Sequence, residues 1–224
     1  MTTLSLDQLL DRIDQELLPN LDIQSISPTE PIVVRRFPIP WEHLGSGNYA
    51  AVFTHPSAPD RVIKIYAPGR PGFEEEAEVY RRIGSHPAYS ECFHAERGFL
   101  VLKRLYGVTL YDCLSRGIRI PPQAIQDVDE ALDYARQRGL FPHDVHGRNV
   151  MLHQGRGLVV DISDFLHEEP CSAWNDLKRA YKLIYVPFFS WTGLRVPIGL
   201  MDWVRAFYRQ IRRLRARLLS HRTP

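Results

Sequence analysis

The sequence predicts an α+β chain of two lobes, the first built mainly from antiparallel strands and the second mainly from helices. Three observations carry this. Short β-rich runs separated by turn residues crowd segment 41–66, whereas later segments such as 124–137 repeat apolar residues at helical spacing. With 224 residues, 44% of them hydrophobic, the chain can bury one core or two small lobes sharing a cleft, and several independent domains would not fit. The expected division is an N-terminal helix and Pro-rich connector over 1–40, a strand-rich lobe over 41–105 and a helical lobe over 106–224.

Each element has its own signal. Leu6, Leu9, Leu10, Ile13, Leu17 and Leu18 recur at helical spacing, and Pro19-Asn20 supplies a stop. Pro28, Pro31, Pro38 and Pro40 then surround the apolar run Ile32 to Val34, which reads as a connector laid along the surface. The runs HLGSG, AAVF and RVIKIY, the last two joined by a turn HPSAPD, predict three antiparallel strands. A helix over 73–84, a strand FLVLKRL over 99–105 and a helix over 124–137 follow. The runs VML and LVV flank the turn HQGRG as a hairpin, and the remainder reads as helical.

Composition narrows the classes. A net charge of +2, from 28 basic and 26 acidic residues, implies no global affinity for nucleic acid or membranes. Cys92, Cys113 and Cys171 are odd in number and in no C-x-x-C spacing, against a disulfide framework or structural zinc site and in favour of a reducing cytoplasm. The N-terminus is acidic where an export signal needs basic residues, so export is not expected. The most apolar stretch, Tyr181 to Val204, is interrupted by Pro187, Arg195, Pro197 and Asp202 and is too broken to span a bilayer.

The candidate chemistry begins at Gly45-Ser46-Gly47-Asn48-Tyr49-Ala50-Ala51-Val52, between two expected strands. Glycines there would let a hairpin backbone approach a polyphosphate, although Ala50 stands where a third glycine would complete G-x-G-x-x-G and a tight hairpin alone also explains them. Val62-Ile63-Lys64 places one lysine in an apolar strand, where a buried ammonium needs an anionic partner, although the solvent face of an edge strand would also accommodate it. At 100° per residue, Glu76 is the one carboxylate of the next helix within the apolar arc of Phe73, Ala77, Val79, Tyr80 and Ile83, so Lys64 and Glu76 are expected to pair. The segment from Pro142 to Val150 carries Asp144, His146 and Asn149, and Asp161 closes the following hairpin. A carboxylate to orient an acceptor hydroxyl, plus an amide and a carboxylate to hold magnesium, are what phosphoryl transfer requires.

In these motifs the chain resembles the protein kinase-like superfamily from about Trp41 to Asp176. The resemblance implies a Mg-ATP-dependent phosphotransferase. Gly45, Ser46, Gly47 and Val52 would line the phosphate loop, and Lys64 with Glu76 would position the phosphates. Asp144 would be the catalytic aspartate, and Asn149 and Asp161 the magnesium ligands. Backbone groups of Lys103, Arg104 and Leu105 would border the adenine. Pro142 and His143 replace the His-Arg before the catalytic aspartate, and Asp161-Ile162-Ser163 replaces D-F-G, with Asp164-Phe165 as the alternative placement. His146 stands where many protein kinases have lysine, as in aminoglycoside, choline and lipopolysaccharide kinase-like families. No A-P-E motif follows, which resembles small atypical kinases of the RIO type that lack the large peptide-docking subdomain.

The expected acceptor is a serine or threonine hydroxyl of a protein, with a small-molecule acceptor or a non-catalytic nucleotide-binding module as alternatives. A metallohydrolase built from His143, Asp144, His146, His153 and Asp161 would leave the glycine hairpin, Lys64 and Glu76 without a role. Finally, Leu200, Trp203, Val204, Phe207, Ile211, Leu214 and Leu218 share one helical face, with Arg205, Arg209, Arg212, Arg213, Arg215 and Arg217 mostly elsewhere. That basic face is either solvated or a surface for RNA or an acidic partner.

Overall fold

Ser5 starts the first helix, α1 (Leu6–Arg12). Its hydroxyl accepts from the Gln8 N–H at 3.2 Å, and the Gln8 side chain accepts from the Ser5 N–H at 3.0 Å. The computed structural model describes residues 4–27, 30–189, 195–197 and 199–201. Beyond α1 the chain stays helical, widening over Ile13–Leu17 and tightening over Leu18–Asn20 to stop at Pro19-Asn20. Leu9, Ile13 and Leu17 are fully buried, each contributing about 1.5–3 kcal/mol of apolar burial.

The connector that follows contains a strand pair that the sequence reading does not anticipate: β1 (Asp22–Gln24) runs antiparallel to β2 (Val33–Arg36). Both are short, and prolines flank the second, so neither shows alternation. Backbone pairing rather than side-chain patterning defines them.

The main sheet comprises β3 (Glu42–Ser46), β4 (Ala50–His55), β5 (Ala58–Tyr66), β6 (Cys92–Glu96) and β7 (Phe99–Lys103), in the order β3-β4-β5-β7-β6, all antiparallel. The turn expected over 55–60 contracts to Pro56-Ser57, because Ala58 pairs back to His55. The edge strand β6 was not expected, since its mostly polar residues carry no strand pattern.

Alternation sorts this sheet into two faces. Ala51, Phe53, Ile63, Ile65, Phe99 and Val101 face α1 and its continuation, which cover the sheet as a lid of Leu9, Ile13 and Leu17. Ala50, Val62, Tyr66, Leu100 and Leu102 face the other way, towards the second lobe. On that side lies α2 (Phe73–Ile83), entered through Gly72 at φ 107°, a left-handed conformation that side chains rarely adopt. Val79, Tyr80 and Ile83 anchor α2 in the core.

The second lobe contains β8 (Val108–Thr109), α3 (Leu110–Arg116), α4 (Pro122–Gln137), β9 (Val150–His153), β10 (Arg156–Val159) and α5 (Ala173–Ala180). Helix α3, absent from the sequence reading, is capped by the Thr109 hydroxyl, which accepts from the Asp112 N–H at 3.0 Å. The β9–β10 hairpin packs on α4 so closely that a Cβ on Gly157 would lie 2.1 Å from the Ala124 carbonyl oxygen. Buried Asp127 of α4 locks the hairpin. It accepts two bonds from Arg156, at 2.7 and 2.8 Å, and one from the Gly157 N–H at 2.9 Å. Trp174 and Lys178 of α5 both donate to Asp129 at 2.7 Å, fixing α5 to α4.

Among the described residues no helix is long and apolar enough to cross a membrane. Most of the basic amphipathic helix expected over 200–218, including every arginine assigned to it, lies outside the described residues.

Candidate active site

Residue 64 lies on the inner face because Ile63 and Ile65 on either side point into the opposite core. The cross-strand partners of Lys64 are Val52 on β4 and Leu100 on β7, so Val52 shares its face. Helical phase brings Glu76 inward from α2. The Lys64 Nζ is 2.7 Å from Glu76 Oε2 and 3.5 Å from Asp161 Oδ1. The Glu76 side chain is 1% exposed and that of Lys64 16%, while Asp161 is 43% exposed.

This network has one member that the sequence reading missed. The Tyr66 hydroxyl donates to Glu76 Oε2, two residues along β5 from Lys64 and on the same face. Period-two spacing from Lys64 was the available signal. Desolvation would lower the Lys64 ammonium, but Glu76 and Asp161 outweigh it and raise its pKa above the ordinary lysine value. Burial pushes the Glu76 carboxyl upward against the pull of Lys64. The two directions oppose one another as regards the ion pair. Lys64 and Tyr66 both donate to the Glu76 carboxylate at contact distance.

Asp161 follows β10. Burial pushes its carboxyl upward, but Lys64 and the Ser163 donors prevail, so its pKa falls below the usual aspartate value. The Ser163 N–H and hydroxyl donate to Asp161 Oδ1 at 3.3 and 3.0 Å, a short-range turn that holds the carboxylate. Asp164 behaves oppositely. Burial, with Asp161 and Asp144 nearby, outweighs His167 and His143 and raises it.

In the loop before β9, Asp144 adopts φ 52°, a left-handed conformation that aspartate tolerates better than most residues. Its N–H donates to Cys171 Sγ at 3.4 Å, and its carbonyl accepts from Asn149 Nδ2 at 3.2 Å. The Asn149 amide is thereby oriented with its oxygen as the remaining ligand atom. Val160 N–H donates to the Asn149 carbonyl at 3.0 Å, tying the loop to the strand that leads into Asp161. His146 Nδ1 accepts from the Arg148 N–H at 3.3 Å, so in the neutral ring Nε2 carries the hydrogen. That Nε2 lies 3.7 Å from Asp144 Oδ2.

The glycine hairpin is formed by β3 and β4, with Gly47 N–H donating to the Ala50 carbonyl at 2.9 Å. Gly45 pairs with Val52 and so lies on the sheet face that carries Lys64, yet a Cβ there would meet nothing within 4 Å. Neither Gly45 nor Gly47 has positive φ. What these glycines preserve is empty space rather than an unusual backbone. Ser46 pairs with Ala51, on the opposite face, and its hydroxyl is 2.9 Å from His43 Nε2, so only its backbone borders the hairpin mouth. Ala50, at the third-glycine position, is buried core.

The backbone groups expected to border the adenine are partly engaged within the fold. Lys103 N–H is used by the Glu91 carbonyl at 2.8 Å, and Arg104 N–H by the Asp60 carbonyl at 2.7 Å. Both amides are therefore taken up inside the fold, and of the expected backbone groups the carbonyls and Leu105 remain. Leu105 has no backbone partner among the described residues, and the Lys103 carbonyl, bonded to the Ser90 hydroxyl at 2.7 Å, keeps a second lone pair. The hydrolase set does not assemble as grouped. Of its members, only His143 joins a cluster of metal-ligand types among the described residues, and its companions there are Asp164 and His167.

No protein-family model matches the chain. Over 181 residues it is 30% identical to a Bacillus subtilis (strain 168) protein described as "Putative serine/threonine-protein kinase YrzF", the match covering 76% of this chain and 84% of that protein. Two crystal structures of the Mycobacterium tuberculosis PknI kinase domain, a single and a double mutant, are similar at TM-scores of 0.42 and 0.41 and 24% and 22% identity. Those matches cover 65% and 62% of this chain and 63% and 60% of the PknI chains, so it spans less than two thirds of either. Identity sustained over 84% of the Bacillus relative carries the assignment: the chain belongs to the protein kinase-like superfamily of phosphotransferases.

Proposed function

We propose that the cleft beneath the five-stranded sheet binds Mg-ATP and that the chain transfers the γ-phosphate to a serine or threonine hydroxyl of a protein. The observation that carries the reading is Lys64 Nζ, held 2.7 Å from Glu76 and 3.5 Å from Asp161. A lysine so held is a fixed positive charge at the cleft wall, suited to the α- and β-phosphates. Gly45 and Gly47 leave room above it, Val52 offers an apolar contact for the base, and Leu105 with the Lys103 carbonyl offers polar backbone groups at the rim.

The donors fit magnesium. Asp161 and Asn149 present hard oxygen atoms, and the Asp161 carboxylate is partly open to the cleft. Bound between them, magnesium would neutralise phosphate charge. Asp144, 45% exposed, is positioned to accept the proton of the incoming hydroxyl. The hydroxyl oxygen forms its bond to the γ-phosphorus as the bond to the β–γ bridging oxygen breaks, and ADP leaves. His146 supplies an N–H beside Asp144.

The name of the Bacillus relative supports a protein acceptor. His146 favours a second reading, a small-molecule hydroxyl. Incubation with radiolabelled ATP and magnesium should label the chain itself or a protein substrate, and Asp144→Ala and Asp161→Ala should abolish the label. Label unchanged in both variants would sink the proposal. Absence of protein label together with ADP release on adding small hydroxyl compounds would favour the second reading. The free thiols Cys92, Cys113 and Cys171 support a reducing, cytoplasmic setting.

A further inference from the structure

We infer that His143, Asp164 and His167 form a second metal site, for a divalent transition-metal ion with zinc as its reference, tying the catalytic loop to the segment after Asp161. The ligand atoms that these three residues offer lie within 4.8 Å of one another. Two separate stretches meet there. His143 immediately precedes Asp144, while Asp164 and His167 share a turn closed by His167 N–H donating to the Asp164 carbonyl at 3.1 Å. The His143 and His167 rings meet edge to face at 5.8 Å, and His167 Nδ1 lies 3.9 Å from Asp164 Oδ1.

A second observation points to a ligand. His143 Nδ1 is buried and has no hydrogen-bond partner. Buried ring nitrogens are normally satisfied, and an unpartnered one calls for a partner, which a metal ion bound to its lone pair would supply. Two imidazoles and one carboxylate suit zinc and its neighbours and do not suit magnesium, which prefers oxygen alone. Around tetrahedral zinc, donors about 2.1 Å from the metal sit roughly 3.4 Å apart. The ligand atoms, now within 4.8 Å of one another, therefore have to draw together, which the exposed His167 side chain can do by swinging inward. Three protein donors leave a fourth position for water.

This site is distinct from the one assigned to magnesium, since it uses none of Lys64, Asn149 or Asp161. Its consequence is mechanical. An ion held here would join the backbone that carries Asp144 to the backbone three residues past Asp161, setting the separation of the two functional carboxylates without touching the nucleotide.

The test uses the full chain, stripped by chelator, in buffer free of magnesium and nucleotide. Titration with zinc against a chromophoric competitor should reveal one saturable site. His143→Ala, Asp164→Asn and His167→Ala should each weaken it by at least about tenfold, since even losing a supporting group around a metal costs that much. His153→Ala, outside the cluster, should leave it unchanged. Cobalt should give the intense visible bands of a four-coordinate ion, lost in His167→Ala. His167 is exposed, so that variant separates loss of binding from loss of fold, checked by circular dichroism. Absence of a saturable site, zinc binding unaffected by His167→Ala, or zinc displaced by Mg-ATP would each overturn the inference. None of these outcomes depends on phosphoryl transfer being detected.

Discussion

The two walls of the cleft are built to different standards. On the sheet side, Lys64, Glu76 and Tyr66 form a buried, mutually satisfied network, with Glu76 almost wholly enclosed. On the loop side, Asp144 and His146 are partly exposed, 3.7 Å apart, and Asp144 rests on a left-handed backbone. On the proposed reading, the difference follows from what each wall would do. A fixed charge for phosphates gains from low dielectric and preorganisation, whereas a group that meets an incoming hydroxyl has to remain reachable. Stability and function should accordingly separate between the walls.

The largest effect is expected at Lys64. Lys64→Met should abolish phosphate transfer and destabilise the fold by about 3–5 kcal/mol, because removing one partner of a buried pair leaves the other uncompensated. Chemical denaturation measures it. Adding Glu76→Leu to Lys64→Met should recover most of the stability and none of the activity. If the single variant is as stable as the parent, the sheet wall is not the energetic unit described here.

On the other wall, Asp144→Asn should lower turnover by roughly 10²–10⁴-fold, the range for a positioned general base. Its stability should stay within about 0.5 kcal/mol of the parent, since asparagine also tolerates the left-handed conformation. A large loss of stability would erase the contrast. Gly45→Val sharpens it from the nucleotide side. Valine suits a strand and its Cβ would meet nothing within 4 Å, so the fold should be little affected. Intrusion into the ligand's space, at about 1–3 kcal/mol, should raise the KM for ATP roughly 5- to 150-fold.

The smallest effects concern pH, and they have opposite signs at Asp161 and Asp164. Asp161 is lowered, so its ionised form favours folding at pH values above about 3.9, the ordinary aspartate value, and that contribution fades as pH falls through its own lower pKa. Asp161→Asn should therefore cost stability at neutral pH and little in strong acid. Asp164 is raised, so its charge opposes folding once pH rises above the ordinary value. Asp164→Asn should add stability at neutral pH, and that gain should vanish in acid. Melting curves of both variants across pH would show whether two carboxylates three residues apart serve different ends.

How much was legible beforehand follows from how local each signal is. Helical phase turned Glu76 inward, and the cost of burying a lone ammonium made Lys64 its partner, because both signals depend only on local sequence within one element. The same logic failed for β1, β2 and β6, which are short or polar and take their identity from a neighbour. Nor does anything nearby in the chain announce that the Glu91 and Asp60 carbonyls occupy the Lys103 and Arg104 amides.

By itself the sequence determined the two-lobed α+β order of elements, the inward Lys64 and Glu76, and the close spacing of Asp144 and Asn149 with Asp161 just beyond. These are properties of single strands, single helices and short loops. Only the tertiary structure decided that Asp161 lies beside Lys64, that Tyr66 completes the pair, that Cys171 accepts from Asp144, and that His143 faces Asp164 and His167. The physical reason is that each of these contacts is created when an element packs on another, and packing is set by the whole core rather than by the periodicity of any one segment.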